Sequence, residues 1–240
     1  MTTPPTPTQS PVPTPVAARY TAVCRRLRDA EERFGRPLGS VALVAVGKTK
    51  PPEAIAALAA AGQRRFGENY LQEALDKQRA LAHFATDLEW HFIGPIQSNK
   101  TKGIAEHFAW VHSVDRLKIA QRLCDQRPPD SPPLAVCLQV NISGEASKSG
   151  VALGDLPELA FAVARLPRLA LRGLMAVPAP GPDFAAQRQP FAALREALTA
   201  LNRQGLELNT LSMGMSDDLE AAVAEGSTLV RIGSALFGPR

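Results

Sequence analysis

Short apolar runs rich in β-branched residues recur along the chain and alternate with longer stretches whose apolar positions return every three or four residues. The first pattern reads as buried strands and the second as amphipathic helices, so their alternation predicts βα units and a parallel sheet. The predicted strands are Val41–Val46, Arg65–Gly67, Trp90–Gly94, Trp110–Ser113, Ala135–Asn141, Leu171–Ala176, Thr210–Met213 and Leu229–Ile232. Helical patterns fall near 53–61, 69–81, 98–106, 115–125, 155–165, 187–203 and 217–225, with Pro51, Pro52, Pro157 and Pro190 where helix starts tolerate proline. Eight such units predict an α/β protein built as a single closed (β/α)8 TIM-type barrel. An open doubly wound sheet is the alternative that the pattern leaves standing.

Ahead of the first strand, Val16, Tyr20, Val23, Cys24, Leu27 and Phe34 share one helical stripe among Arg and Glu, which predicts a helix preceding the barrel. Residues 1–15 hold six prolines and five threonines with almost no apolar periodicity, and read as a disordered tail. The folded domain is therefore expected over 16–240.

Composition narrows the function classes. At 45% apolar and 21% charged over 240 residues, the chain can bury a full core without staples. Cys24, Cys124 and Cys137 are an odd number at wide spacing with no CxxC, so neither a disulfide framework nor a structural zinc site is expected, and a reducing cytoplasm is the natural compartment. His83, His91, His107 and His112 contain no i,i+4 pair, and no metal is expected. The net charge of +4 comes from 20 arginines and 7 lysines against 23 acids, scattered rather than gathered in a stripe, which argues against nucleic acid as a partner. No apolar run approaches the roughly 20 residues that span a bilayer, and the N-terminus lacks a basic region followed by an apolar stretch, so no membrane or export signal is expected.

In a barrel of this kind functional groups sit where the strands end at their C-terminal side. Those positions are Lys48, Glu68 and Asn69, His91 to Gln97, His112 and Ser113, Asn141, Met175, Ser212 to Ser216, and Arg231 to Ser234. Lys48 closely follows the run VALVAV, which places an amine at an apolar mouth where desolvation favours the nucleophilic form a Schiff base needs. Lys50 is its immediate competitor, and a surface lysine at a strand end is the plainer reading. Gly47-Lys48-Thr49 does not complete a P-loop, because position 42 is Ala42 within a strand instead of the required glycine.

A phosphate site is legible after the last two strands, in Ser212 to Asp218 and in Arg231 to Ser234, where barrels often bind phosphate with loop amides and the start of a short helix. Ser216 would add a hydroxyl and Gly233 a close backbone approach. Alternatively, Ser216 merely caps a helix starting at Asp217 and the glycines are turn residues. Arg231 interrupts the apolar run TLVRIG, and its guanidinium must find an acceptor: a structural partner, or the ring nitrogen of a ligand that it would keep unprotonated.

Taken together, AVGKTKP at 45–51, FGENY at 66–70, WHFIGPIQSNK at 90–100, VHSVD at 111–115, QVNISGEASKSG at 139–150, GLMA at 173–176, LSMGMSDD at 211–218 and VRIGSALFG at 230–238 resemble the pyridoxal phosphate homeostasis proteins of the YggS/PROSC type. These are relatives of the N-terminal barrel of alanine racemase. The resemblance runs from about Val16 to Gly238. It implies pyridoxal 5′-phosphate (PLP) held as an aldimine on Lys48, with Arg231 near the pyridine nitrogen. Ser216 and the amides of Gly233 and Ser234 would hold the phosphate, and Asn69, Ser113, Asn141, Met175, Ser212 and Met213 would line the ring pocket. His91 and Lys148 lie in matching blocks without an assigned contact, and position 47 is glycine where relatives often have serine.

The resemblance further implies a role in vitamin B6 homeostasis, buffering the cofactor or passing it to PLP-dependent apo-enzymes, without conventional catalysis and as a monomer or weak dimer. Racemases resembling this barrel take a second base from an added β-domain, for which no room is expected beyond Arg240. A small PLP-dependent racemase and a PLP-independent barrel acting on a phosphorylated metabolite are the competing readings. A carrier must let an attacking amine reach the cofactor, so a solvent-accessible site is expected.

Overall fold

The computed structural model describes residues 15–83, 87–144 and 149–238. Eight parallel strands follow in chain order: β1 (Ala42–Val46), β2 (Arg65–Glu68), β3 (Glu89–Phe92), β4 (Trp110–Val114), β5 (Leu134–Gln139), β6 (Leu169–Met175), β7 (Thr210–Ser212) and β8 (Leu229–Ile232). Each pairs with its neighbour in sequence, and β8 returns to β1 with Ala42 opposite Leu229 and Ala45 opposite Ile232. The sheet is therefore closed, and the open doubly wound alternative is set aside.

The helices are α1 (Pro15–Arg33), α2 (Pro52–Ala60), α3 (Leu71–Leu81), α4 (Thr101–His107), α5 (Leu117–Gln126), α6 (Leu156–Ala164), α7 (Phe184–Arg203), α8 (Leu219–Ala224) and α9 (Ser234–Phe237). In α1, Val23, Leu27 and Ala30 are buried, and Val16, Tyr20, Cys24 and Phe34 pack partly buried against the core. Glu31, also buried, accepts from the Gly39 and Val41 amides at 2.9 and 2.8 Å and so fixes the entry into β1.

Several sequence expectations shift at element ends. Most of the tail reading, residues 1–14, lies outside the described residues, whereas Pro15 opens α1, a first-turn position that proline tolerates. The apolar runs at Val140, Ala176 and Met213 outlast the strands because the chain stays packed there after leaving the regular ladder, and Ile93 outlasts β3 because it lines the barrel mouth. The 98–106 pattern divides into a 3-10 turn over Ser98–Lys100 and then α4. Asp183 starts α7 earlier than the apolar period shows, its carboxylate accepting from the Ala186 amide at 2.8 Å, so Pro190 lies inside the helix and not at its start. The helix expected from 217 begins at Leu219.

The barrel wall and the helix layer share one apolar core, with Phe66, Phe108, Phe191, Ile55 and Leu123 fully buried. The interior of the barrel is different. Its lower end is lined by Ala42, Arg65, Glu89, His91, Trp110 and Thr210, and its C-terminal end by Val46, Asn69, Ile93 and Arg231. Between them His91, His112 and Ser212 are buried, where branched aliphatic side chains would be usual.

The β6 and β7 backbones approach too closely at Gly173 for any side chain, since a Cβ there would lie 1.8 Å from the Thr210 carbonyl oxygen. Gly173→Ala is expected to destabilise the barrel by about 3 kcal/mol or more, because backbone and not a flexible side chain must yield. Equilibrium urea unfolding of the variant and the parent chain measures this loss.

Candidate functional site

The mouth of the barrel holds a cavity of about 400 Å³ lined by Lys48, Thr49, Lys50, Asn69, Ser216, Asp217, Arg231, Gly233 and Ser234, with Val46, Ile93, Val177, Met215 and Gly238. Val177 and Met215 are exposed at its rim.

Lys48 reaches this cavity from a tight turn that follows β1. The Lys50 amide donates to the Gly47 carbonyl at 3.0 Å, and Thr49 adopts a left-handed backbone with φ of 63°. That strain is held by α3: the Thr49 amide donates to Glu73 Oε1 at 2.6 Å. Lys77, buried on the same helix, donates from Nζ to Gly47 O at 2.7 Å, Glu68 Oε1 at 2.8 Å and Glu73 Oε1 at 2.6 Å. A Cβ at Gly47 would lie 2.6 Å from both Glu68 Oε1 and Ile55 Cδ1, so in this chain the buried carboxylate occupies the space that a serine at 47 would need. Two carboxylates facing one ammonium, with Glu68 fully buried, leave one of them short of compensation. Burial pushes the Glu68 carboxyl up to about 7 against the opposing pull of Lys77. Lys48 Nζ itself makes no hydrogen bond or ion pair among the described residues.

Opposite Lys48, the loop after β7 and the start of α9 bring hydroxyls together. Ser234 Oγ donates to Ser216 Oγ at 3.1 Å, and no side chain among the described residues caps the first turn of α9. Ser216 does not cap α8, which starts at Leu219 with Asp218 before it. Its carbonyl instead accepts from Arg26 Nη1 at 2.6 Å, and the same guanidinium pairs with Glu220. Asp218, a potential repeller of anions, accepts from the Met215 amide at 2.6 Å and is absorbed in shaping the loop.

Arg231 forms the floor. Its Nη1 donates to Ser212 O at 2.6 Å and Ser212 Oγ at 2.7 Å, and its Nη2 donates to Ala176 O at 3.0 Å. Burial pulls the guanidinium down to about 10, so it stays cationic at neutral pH. Burial also lowers His91, and places His112 well below the ordinary imidazole range, so both rings are neutral.

Of the residues expected at the site, Lys48, Asn69, Ser216, Arg231, Gly233 and Ser234 line the cavity together, as does the competitor Lys50. The others are not among its lining residues. Ser113 is buried and donates to Gly94 O at 2.5 Å, Met175 and Met213 are buried at strand ends, and Ser212 is fully buried beneath Arg231. Asn141 follows β5, with its amide donating to Val151 O at 2.9 Å. Lys148 lies outside the described residues. Glu68 was legible only as a strand end, and the support roles of Glu73, Lys77 and Arg26 escaped the strand-end rule because they lie on helices. A signal existed for Lys77, since a lysine that shares the buried stripe of Ala74 and Leu81 needs a partner.

Two outcomes follow from this geometry. Lys77→Met leaves a carboxylate buried without its cation and is expected to cost about 3–5 kcal/mol in chemical unfolding, whereas the double change of Lys77→Met with Glu68→Leu recovers most of it. His91 and His112 resist protonation in the fold, whereas the unfolded chain takes up protons below about pH 6.5. Their contribution is therefore complete above pH 7 and is lost as pH falls toward the lower folded values. Thermal unfolding between pH 8 and 5 is expected to show this decline, and a chain with glutamine at both positions a flatter profile.

Comparison with known proteins agrees with the fold. The alanine racemase N-terminal domain family matches residues 20–240. A pyridoxal phosphate homeostasis protein of Pseudomonas aeruginosa is 64% identical over 225 residues, covering 94% of this chain and 96% of that protein. Its counterpart in Escherichia coli is 53% identical over 226 residues, covering 94% and 97%. The solved structure of PipY from Synechococcus elongatus with PLP bound superposes with a TM-score of 0.81 at 38% identity, covering 93% of this chain and all of that one. The chain belongs to the family of pyridoxal phosphate homeostasis proteins, built on a barrel of the alanine racemase N-terminal type.

Proposed function

We propose that this chain binds PLP through a Schiff base with Lys48 and takes part in intracellular vitamin B6 homeostasis, buffering the cofactor or delivering it to apo-enzymes, without turning over a substrate. The observation that carries the reading is that a lysine amine, a pair of serine hydroxyls and a buried guanidinium line one cavity at the barrel mouth. Its volume of about 400 Å³ lies within the range of small-molecule sites. PLP would supply an aldehyde for an amine, a phosphate for hydroxyls and amides, and a pyridine nitrogen for an N–H donor.

The residues fit that group by charge and by hydrogen-bonding capacity. Ser216, Ser234 and the first turn of α9 offer donors to an anion, with no side chain among the described residues already capping that turn. Arg231 has only donors, so a ring nitrogen facing it would be held as an acceptor. Asn69 adds a polar wall, while Ile93, Val46 and Val177 supply apolar ones. Ser113, Asn141, Met175 and Met213 would support the pocket from behind its lining. A transfer role favours an amine that nothing in the described protein restrains and a rim that an incoming amine can pass, and both are present. Apart from the two lysines and Arg231, Asp217 is the titratable group among the described lining residues, a sparse set for acid–base turnover.

The test is mass spectrometry after borohydride reduction of the chain incubated with PLP, alongside Lys48→Ala. A pyridoxyl adduct mapped to Lys48 and lost in the variant is the expected result. Labelling of Lys50, or no labelling, would overturn the assignment and favour a barrel that acts on a phosphorylated metabolite. Inversion of an amino acid by the loaded chain would replace the carrier reading with that of an enzyme.

A further inference from the structure

A continuous line of hydrogen bonds runs through the barrel from its lower opening to the floor of the mouth. His91 Nε2 lies 2.9 Å from Glu89 Oε1, His91 Nδ1 lies 2.8 Å from His112 Nε2, and His112 Nδ1 lies 2.7 Å from Ser212 Oγ. Ser212 Oγ in turn accepts from Arg231 Nη1 at 2.7 Å. Glu89 is partly exposed beside a cavity of about 310 Å³ at the lower opening and pairs with Arg65 at 3.0 Å. The members between Glu89 and Arg231 are fully buried.

The ionised Glu89 end and the neutrality of the two buried rings together fix the direction of every bond. A guanidinium carries donors only, and an ionised carboxylate acceptors only. With both rings neutral and Glu89 accepting, His112 Nδ1 is left as an acceptor and takes the serine proton, while Ser212 Oγ accepts from Arg231. His112 then donates from Nε2 to His91 Nδ1, and His91 donates from Nε2 to Glu89. Each neutral ring then carries its proton on Nε2; while this order is kept, a proton added to His91 would set donor against donor at the contact between the rings, and one added to His112 would do so at Ser212.

The surroundings agree with that state. Trp110 stacks on His91 at 5.6 Å between ring centroids and meets His112 edge-on at 5.9 Å, offering no charge. Arg65 and Arg231 disfavour protonation of His91 and His112 respectively, and burial raises the Cys137 thiol near Arg231 to about 12, leaving it neutral. Of the groups packed on the line, Glu89 is the one that favours a cationic ring, and the His91 hydrogen bond together with Arg65 keeps that carboxyl ionised.

We infer that Ser212, His112, His91 and Glu89 are positioning residues for Arg231: their one-way hydrogen-bond line locks the guanidinium against neutral acceptors and holds its remaining N–H groups as fixed donors toward the ligand cavity. The acceptors that touch Arg231 are two carbonyls and a hydroxyl. The nearest carboxylate acting on it is Asp218, which favours its charged form through space while bonding the Met215 amide and not the guanidinium. Arg231 therefore keeps its full charge facing the mouth, which selects a ligand with an unprotonated ring nitrogen. This selection rests on the PLP reading given above; the line itself does not.

The experiment has two arms. Long-range 1H–15N spectra of the 15N-labelled full chain without cofactor, assigned with His91→Gln and His112→Gln, are expected to show both histidines neutral with the proton on Nε2 from pH 8 to 6. An imidazolium or an Nδ1–H tautomer at either position would overturn the line. In the second arm, PLP-loaded Ser212→Ala and His112→Phe are compared with the parent and with His112→Gln, which retains a donor and an acceptor. The expected result is an adduct still on Lys48, a shifted cofactor absorption band and PLP dissociation faster by about tenfold, with His112→Gln closer to the parent. Parent-like spectra and dissociation in the loaded Ser212→Ala and His112→Phe chains would overturn the positioning role. A parent chain that gives no adduct would overturn the cofactor reading and the selection with it, while the first arm still decides whether the line exists.

Discussion

A guanidinium buried inside a closed barrel can place its N–H groups only on acceptors that the barrel walls provide. Much of this structure follows from meeting that requirement at Arg231. The backbone supplies part of it, because Ser212 and Ala176 stand where β7 and β6 give way to loops and their carbonyls turn toward β8. The rest comes from side chains that would otherwise be costly in a barrel interior. Ser212, His112 and His91 are tolerable there because each passes its own unmet donor to the next, and the last donor ends on a carboxylate that reaches solvent. The polar filling of the barrel is thus one connected solution and not four separate exceptions to an apolar core.

The opposite wall of the mouth solves a different problem with the same means. Lys77 is buried so that its ammonium can hold the Gly47 carbonyl and two carboxylates at once, and the Thr49 amide bonds one of those carboxylates. The turn is therefore fixed by its backbone, leaving the Lys48 side chain uncommitted. A cation used as scaffold next to a cation kept available needs strict separation of partners. Glu68 and Glu73 provide it, since they engage Lys77 and the backbone, and neither bonds Lys48.

How far the sequence reveals this arrangement depends on the range of the interaction. Strand and helix positions are local properties, and the apolar runs at Val41–Val46 and Leu229–Ile232 locate β1 and β8 almost to the residue because burial on both faces makes strand sequences continuously apolar. Eight repeats pointed to closure but left an open doubly wound sheet standing, because the β8–β1 pairing that closes the barrel is a contact across the whole chain. Lys48, Ser216, Arg231 and Gly233 were legible because barrel chemistry collects at strand ends. The depth of each residue was not: Ser212 is the last residue of β7 and Asn69 the first beyond β2, yet one lies beneath Arg231 and the other lines the cavity. That difference is one of position along the barrel axis, set by where each strand stops, and the apolar runs place strand ends only to within a residue or so. The pairing of Lys77 with Glu68 crosses from α3 to the preceding strand, and that of Arg26 with Glu220 joins α1 to the far end of the chain; no local period encodes either.

The two walls also differ in how much they can move, and that difference bears on function. Arg231 is bound on three sides, and its orientation cannot change without breaking several buried hydrogen bonds together. Lys48 ends a flexible aliphatic stem at a rim bordered by the exposed Met215 and Val177, and its reorientation breaks no hydrogen bond in the described protein. A catalyst needs its acid and base held near the reacting atoms throughout the cycle, and a group free to swing away loses rate steeply with misplacement. A carrier needs one end of its cargo recognised rigidly and the other released to an approaching amine. Fixed recognition at the barrel floor combined with an unrestrained amine at an open rim satisfies the second demand more readily than the first.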